Sequence, residues 1–346
     1  MANILELNIL QSLPVNCLNR DDTNSVKTVD IGGVTRTRVS SQCWKRAMRE
    51  QLREDGVDIG CRSRLFAQRF TNALKARHPD GDEAAFFSAS VALLKGLGAD
   101  DQLKTLMFFS SAEVEEAADL IEKAECNPKK IAKLAPEFQA RVTKTRGGHD
   151  GLDIAAFGRM MASRHDFDVE AAVSVAHAYT THRTITNIDY FTAVDDLNTD
   201  IATGHIGTNE FSSGVFYRYI VIDLDLLAKN LGAESIEEVK DGVGALIRAI
   251  FFAVPKARQH TMTAYRTWDY AHIIRRTGQP QQCLFEKPVM AHGTTGLLAP
   301  SVEAMEVDIA RTRRLFGSSY GLKYETVFGQ DDRSIDDLIG EIKAIL

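Results

Sequence analysis

The sequence predicts a split α+β protein, and three observations carry the prediction. Alternating, strand-like segments occupy residues 3–10 and 34–39, a block with helical spacing runs from about 61 to 182, and strand character returns near residue 215. A helical block set between strand regions reads as a subdomain inserted into a mixed domain.

The elements follow in order. Leu5, Leu7 and Ile9 alternate with Glu6 and Asn8, which predicts a strand. Residues 11–33 are rich in Asn, Asp and Gly and read as a loop. Residues 34–39 alternate again, placing Arg36 and Arg38 on one face, and Ser40 or Ser41 can cap the helix that follows. Helical spacing recurs near 62–77, 82–96, 112–125, 128–145 and 168–182, with breaks at His78-Pro79, Gly96-Leu97-Gly98, Asn127-Pro128 and Gly147-Gly148. Asn127 followed by Pro128 is a cap followed by the first helical position. From residue 215, Val215, Tyr217, Tyr219 and Val221 alternate with Phe216, Arg218, Ile220 and Ile222. Both sets are mostly apolar, so that strand is expected to be covered on both faces. Asp189–Leu197 can pair with it as an antiparallel arm whose polar, glycine-containing tip is 198–211. Helices are expected near 233–253 and 334–346.

The chain has 346 residues, with 41 Lys and Arg against 47 Asp and Glu. It has no run approaching the roughly 20 apolar residues of a membrane span, and its N-terminus lacks a basic start followed by an apolar block. The expectation is a cytoplasmic protein without a membrane partner. Five scattered cysteines form no CxxC pair, which argues against a disulfide framework or a structural zinc site.

Against this acidic background, residues 31–49 hold five basic side chains, Arg36, Arg38, Lys45, Arg46 and Arg49, and no acidic one. In the helix after Ser40, Trp44, Ala47, Met48 and Leu52 share a face that can pack, while Lys45, Arg49 and Arg53 share another. A helix start with Ser40, Ser41 and Gln42 beside it suits a phosphate. The patch reads either as a polyanion site or as a solvated face.

Other chemistry is less specific. There is no P-loop, GxGxxG, GxSxG or HExxH. His177 and His182 are five residues apart, off one helical face, and read as ordinary surface or core histidines. The pairs Asp21-Asp22 and Asp195-Asp196 suit either Mg²⁺ binding for phosphodiester cleavage or turns. Lys129, Lys130 and Lys133 cluster on one side of a helix, as a solvated face or a second polyanion contact. Gly158-Arg159-Met160-Met161 interrupts a helical region, and such methionines usually fill core gaps. Tyr190 and Phe191 are neighbours in a presumed strand and point to opposite faces.

Several motifs resemble the CasC family, the RNA-binding backbone subunits of type I-E CRISPR Cascade complexes. They are CLNRDD (17–22), GG with basic residues then SSQ and KRAMR (32–49), GRM (158–160), SVAHAYTTH (174–182), IDYFTAVDDL (188–197), HIGTNEFSSGVFYRY (205–219) and VPKARQ (254–259). The run from Tyr190 to Tyr219 is the most specific. The resemblance is weaker over about 55–155 and 265–330.

The resemblance implies a hand-like α+β fold with a ferredoxin-like palm, similar to an RNA-recognition motif, in residues 1–60 and 183–346. Helical fingers would be inserted at 61–182, and a β-hairpin thumb would lie near 189–218. It implies a non-catalytic protein with no cofactor, several copies of which line up along one CRISPR RNA. Its partners would be that RNA, target DNA, further copies of itself and the large, small, guide-end and guide-processing endoribonuclease subunits of Cascade. Guide phosphates would be gripped by Arg20, Lys27, Ser40, Gln42, Lys45, Arg46 and Arg49, which needs charge but no base readout. Met160 would wedge beside bases. Tyr190, Phe191 and Thr192, with His205 and Ile206 at the tip, would flank a displaced base, and Gly204 and Gly207 would let the tip turn. Lys129, Lys130 and Lys133 would touch incoming DNA. One rival reading is a metal-dependent RNase of the same fold using Asp21 or Asp22, since related type III backbone subunits cleave RNA with an aspartate near the N-terminus. Another is a standalone single-strand RNA-binding module that does not assemble.

Overall fold

Strand β1 (Asn3–Asn16) runs through a sheet whose described pairings are antiparallel, and it is buried over most of its length. The computed structural model describes residues 2–99, 105–131, 133–134, 136–138, 151–161, 165–193, 205–291 and 293–346. The chain divides into two compact units. The first comprises Met1–Gln51, Val175–Val221 and Leu246–Ile345, and the second Leu52–Ser174 and Ile222–Ala245 together with Leu346.

In the first unit, β1 pairs antiparallel with β10 (Tyr270–Thr277), which pairs with β11 (Leu322–Phe328). The other side of the sheet continues through β9 (His205–Asp223), β7 (Ala178–Thr180), β3 (Val34–Val39) and β2 (Thr28–Ile31). The expected strand at 3–10 therefore extends to Asn16, and both of its faces are covered. Glu6 and Asn8 are buried too, because each has partners there. Glu6 pairs with Arg276 and accepts from the Tyr219 hydroxyl and, at 2.7 Å, from Gln281 N. Asn8 accepts from the Tyr217 hydroxyl at 2.7 Å. Ile4, Leu10, Tyr217, Tyr219 and Ile274 form one core with Met305 and Ile309 of α10 (Leu298–Phe316).

The 11–33 loop expectation is corrected at both ends. Its last part, β2, forms a hairpin with β3 through Gly32-Gly33, whose φ values are +58° and +73°. Two consecutive positive φ angles are what a tight, strand-matched hairpin turn requires, and glycine adopts them without a Cβ clash. The helix expected at 168–182 is also corrected. The segment contains β6 (Val173–Val175) and β7, and Ala178, Tyr179 and Thr180 are all buried. β7 lies between β3 and β9, where β-branched and aromatic side chains fit a covered sheet better than a helix.

The second unit is mostly helical: α2 (Phe66–Arg77), α3 (Glu83–Gly96), α4 (Ser111–Lys123), α5 (Pro128–Ile131), α6 (Leu152–Phe157) and α7 (Leu224–Leu231). Its core contains a chain of ring contacts, Phe66 to Phe109, Phe109 to Phe138 and Phe138 to Phe167. Ser110 and Glu113 form a reciprocal capping box on α4, and Asn127 accepts from Lys129 N at 3.0 Å ahead of Pro128. Strands β4 (Cys61–Ser63) and β5 (Met107–Phe109) pair within this unit. The remaining helices are α8 (Lys240–Phe252), α9 (Gln259–Met262), α10 and α11 (Ile335–Ile345). Among the described residues no helix is long and apolar enough to cross a membrane.

Candidate nucleic-acid interface

Helix α1 (Ser41–Glu54) begins where the sequence places it. Ser40 Oγ accepts from Cys43 N at 3.4 Å, and Ser40 N donates to Asn19 Oδ1 at 2.9 Å. Trp44, Ala47, Met48 and Leu52 are buried, and burying Met48 and Leu52 contributes about 1.5–3 kcal/mol each. The indole of Trp44 also lies under the Arg218 guanidinium, 3.8 Å from the ring centroid. Arg218 donates to Gln11 Oε1 at 2.7 Å and to Ile250 O at 3.2 Å. Burial pulls it down to about 9, still protonated at neutral pH. A residue of the central strand thus anchors the basic helix through a desolvated cation–π contact. Sequence reading gave Arg218 no role, and its only signal was an arginine inside an otherwise apolar strand.

The packed face of α1 leaves its cations toward the open side. Arg46 is exposed and pairs with Glu50 at 2.9 Å. Lys45 and Arg49 are half-buried, and burial holds the Lys45 ammonium below its usual value. Gln42 is exposed at the first turn. The loop before β2 lies beside this helix start, with Arg38 N donating to Lys27 O at 2.8 Å and Lys27 N to Asn19 O at 3.0 Å. Arg20 is exposed and donates to Asn24 Oδ1 at 2.9 Å. Arg20, Lys27, Ser40, Gln42, Lys45, Arg46 and Arg49 therefore fall in one unit, with Ser40 and Gln42 at the helix start and Lys45, Arg46 and Arg49 along α1. The pKa of His177 is lowered by burial and then by Arg38 and Lys27.

The two strand arginines do not act alike. Arg36 is fully buried and donates to Thr180 O at 3.0 Å and Phe285 O at 2.9 Å, so it ties the sheet together and is withdrawn from any surface ligand. Arg38 is half-buried and contacts His177 Nδ1 at 2.8 Å. His182 belongs to the core. Its Nδ1 donates to Arg183 O at 2.8 Å, and its Nε2 accepts from Val215 N at 3.2 Å, which fixes the tautomer.

The arm expected at 189–197 is β8 (Asn187–Ala193), but its partner is corrected: it pairs antiparallel not with 215–222 but with 205–211 of β9, from Asn187↔Phe211 to Ala193↔His205, within the stretch read as the tip, while Phe216 and Tyr217 pair with β7. Every residue of β8 is exposed. Register places Ile188, Tyr190 and Thr192 on one face with Ile206, and Phe191 on the other. Ile188 is 69% exposed, Tyr190 62% and Ile206 51%, so the arm presents apolar side chains to solvent. Ile188 joins this face although the sequence reading did not select it; its period-two spacing from Tyr190 was the available signal. Gly207 is not a turn residue. It sits in β9 opposite Phe191, where a Cβ would meet the ring at 2.5 Å. Gly204, the side chain of His205 and the pair Asp195-Asp196 lie outside what the structure describes.

Asp21 forms a local turn. Its Oδ1 accepts from Thr23 N and Ser25 N, both at 2.9 Å, and from Thr23 Oγ at 2.8 Å. These bonds, the Thr23 hydroxyl first, hold the carboxyl below its usual range. Asp22 is exposed.

Two groups of candidates belong to the second unit. Met160 is 79% exposed, while Arg159 before it is buried. Arg159 Nε donates to Phe167 O at 2.9 Å, its guanidinium meets both Glu113 oxygens at 2.8 Å, and its backbone bridges Val169 in both directions. Gly158 precedes it at φ +80°, where a Cβ would meet Val169 O at 2.8 Å. Met160 is thus held outward by its neighbours, whereas Met161 fills core. Lys129 and Lys130 are exposed on α5, Lys133 is exposed in the turn that follows it rather than on the same helix, and Lys130 pairs with Glu125 at 2.6 Å.

A solved structure described as a CRISPR RNA-guided surveillance complex, pre-nicking, contains a chain similar to this one. The TM-score is 0.80 at 25% identity, covering 99% of this chain and 99% of that one. A chain of another solved CRISPR RNA-guided surveillance complex has the same fold, with a TM-score of 0.71 at 21% identity over 99% of this chain and 100% of that one. A search of curated proteins gives no match. The model of the CT1975-like protein family matches residues 5–341. With nearly its whole length matched, the chain belongs to the CT1975-like protein family.

Proposed function

We propose that this chain is a non-catalytic backbone subunit of a Cascade complex of the type I-E kind, several copies of which polymerise along one CRISPR RNA. The observation that carries the reading is the end-to-end likeness to a chain of a CRISPR RNA-guided surveillance complex. In this reading the first unit is the ferredoxin-like palm, the helical part of the second unit is the fingers, and the β8–β9 arm is the thumb.

Arg20, Lys27, Lys45, Arg46 and Arg49 neutralise guide phosphates, while Ser40 and Gln42 supply neutral donors at the helix start. Nothing in that set reads a base, which suits a guide whose sequence must vary. Tyr190, Phe191, Thr192, His205 and Ile206 flank a displaced base, and Met160 wedges beside bases. Stacking and apolar wedging are tolerant of sequence, with about 1–3 kcal/mol per stacked base. Lys129, Lys130 and Lys133 contact target DNA weakly and without specificity before base pairing decides. Asp21 acts as a turn former in this reading, since one of its oxygens already accepts three hydrogen bonds.

The test is to co-express the chain with its neighbouring genes and a CRISPR array, purify after nuclease treatment, sequence the bound RNA and measure native mass. Protected guides of uniform length with several protein copies each are expected. A monomer on random cellular RNA would refute the backbone role. Mg²⁺-dependent cutting of a paired target RNA, abolished by Asp22→Ala, would establish the RNase instead.

A further inference from the structure

The loop Val254–Gln259 has been given no role, yet its geometry extends the basic patch. Arg258 sits at φ +55° and ψ 22°, a left-handed conformation that side-chain-bearing residues rarely adopt. Such strain persists where surrounding structure enforces it, and it clusters at ligand sites. The enforcement is visible here. Gln259 is buried, and its Nε2 donates to Pro255 O at 2.9 Å, closing the loop on itself. Arg258 Nε is buried with no hydrogen-bond partner, and among the described residues no carboxylate pairs with this guanidinium. A buried, unpaired guanidinium N–H calls for an acceptor.

Two further observations place the loop beside the cationic helix. Lys256 Nζ lies 3.9 Å from Glu50, the carboxylate that also pairs with Arg46. The buried Cys17 thiol is pushed up by burial, and Arg258 first and Arg20 second act against that shift, so both cations flank the same point. Arg258 and Arg20 therefore both act on Cys17, which puts Arg258 at the Arg20 end of the patch.

We propose that Arg258 is a further phosphate ligand for single-stranded RNA, its guanidinium taking phosphodiester oxygens while Lys256 adds charge at the same wall. The proposal rests on the RNA-binding reading above and adds a residue to it. A planar fork suits a phosphate in a way that a lysine ammonium does not.

The test uses the full chain and a fluorescein-labelled single-stranded RNA of guide length, with affinity measured across a salt series. Arg258→Asn and Arg258→Gly both remove the charge, and glycine also relieves the positive φ. Arg258→Lys keeps the charge without the fork. The slope is read on whichever neutral variant melts like the wild type. A neutral variant is expected to bind several-fold more weakly, with the slope of log affinity against log salt reduced by about 0.7, and Arg258→Lys is expected to keep the wild-type slope. If the neutral variants keep the wild-type slope while Lys45→Ala/Arg49→Ala lowers it, Arg258 is structural and the RNA-binding reading stands. If the wild type shows no salt-dependent RNA binding, the RNA-binding reading itself fails, and the proposal with it.

Discussion

Replacing Arg159 with Met tests how Met160 comes to be presented. The arginine is fully buried and is the counterion of Glu113, whose side chain is only 12% exposed. It also satisfies Phe108 O at 3.2 Å and Phe167 O at 2.9 Å. Methionine fills much of the volume but leaves a buried carboxylate unpaired and two carbonyls without this donor. Removing one partner of a buried pair costs about 3–5 kcal/mol. A loss of about 4 kcal/mol, at a urea dependence of about 2 kcal/mol per molar, lowers the midpoint by about 2 M. The assay must follow the right unit. Both tryptophans of the chain, Trp44 and Trp268, lie in the first unit, so their fluorescence does not report on this site. Circular dichroism at the helical band does, because the second unit is rich in helix. Adding Glu113→Gln removes the stranded charge while keeping a residue able to serve the capping box, and should recover about 1–3 kcal/mol. A midpoint within about 0.3 M of wild type, or a double variant no more stable than the single one, would refute the argument.

Lys45→Ala/Arg49→Ala should weaken RNA binding and flatten its salt dependence by about 0.7 per lost phosphate contact; an unchanged slope means that neither residue is a phosphate ligand. Ile206→Asp should leave the melting curve unchanged, since the side chain is half-exposed, but impair assembly or DNA pairing; normal behaviour in both would remove the arm from the base-displacing role. Gly207→Val should displace the Phe191 ring, which lies where the new Cβ would be, and is expected to resemble Phe191→Ala in RNA binding. His272 offers a pH test. It lies between Glu306 at 2.9 Å and Glu325 at 3.3 Å, with Tyr270 and Arg313 on the same carboxylates. Burial opposes its charge, yet the two carboxylates outweigh burial and hold the imidazole above its usual value. A raised folded-state pKa stabilises fully below the unfolded value of about 6.5 and is lost as pH rises through the folded value. The wild type should therefore exceed His272→Gln in melting temperature by more near pH 6 than near pH 9; an equal gap would show that the histidine is not charged.

Much of the local structure was legible. The amphipathic face of α1, the Ser40 and Asn127 caps and the two-sided burial of β9 all follow from short-range spacing. That an antiparallel arm starts near 189 was legible, but its partner was not: β8 pairs with 205–211, which is too polar and glycine-containing to read as a strand by itself. The basic helix start was legible as a charge anomaly. The strand at 178–180 was not, because three residues span a single strand period and less than one helical turn, and the alanines around them are compatible with helix until β3 and β9 supply a covered ladder. The segment 222–245 falls within the palm that the resemblance implies at 183–346, yet it packs within the second unit. Nothing in its own periodicity reports which core receives it.

Arg36 and Arg38 show where sequence stops. Alternation by itself determined that they share a strand and a face, and the run of five cations with no acidic residue from 31 to 49 marked either a polyanion site or a solvated face. Only the tertiary structure decided that Arg36 is spent on Thr180 O and Phe285 O, the latter 249 positions away, while Arg38 reaches His177. Periodicity and capping are set by free energies within a few residues, so they are written in the local sequence. The availability of a charge depends on which distant carbonyl or carboxylate the fold delivers to it, and that is settled only when the sheet closes.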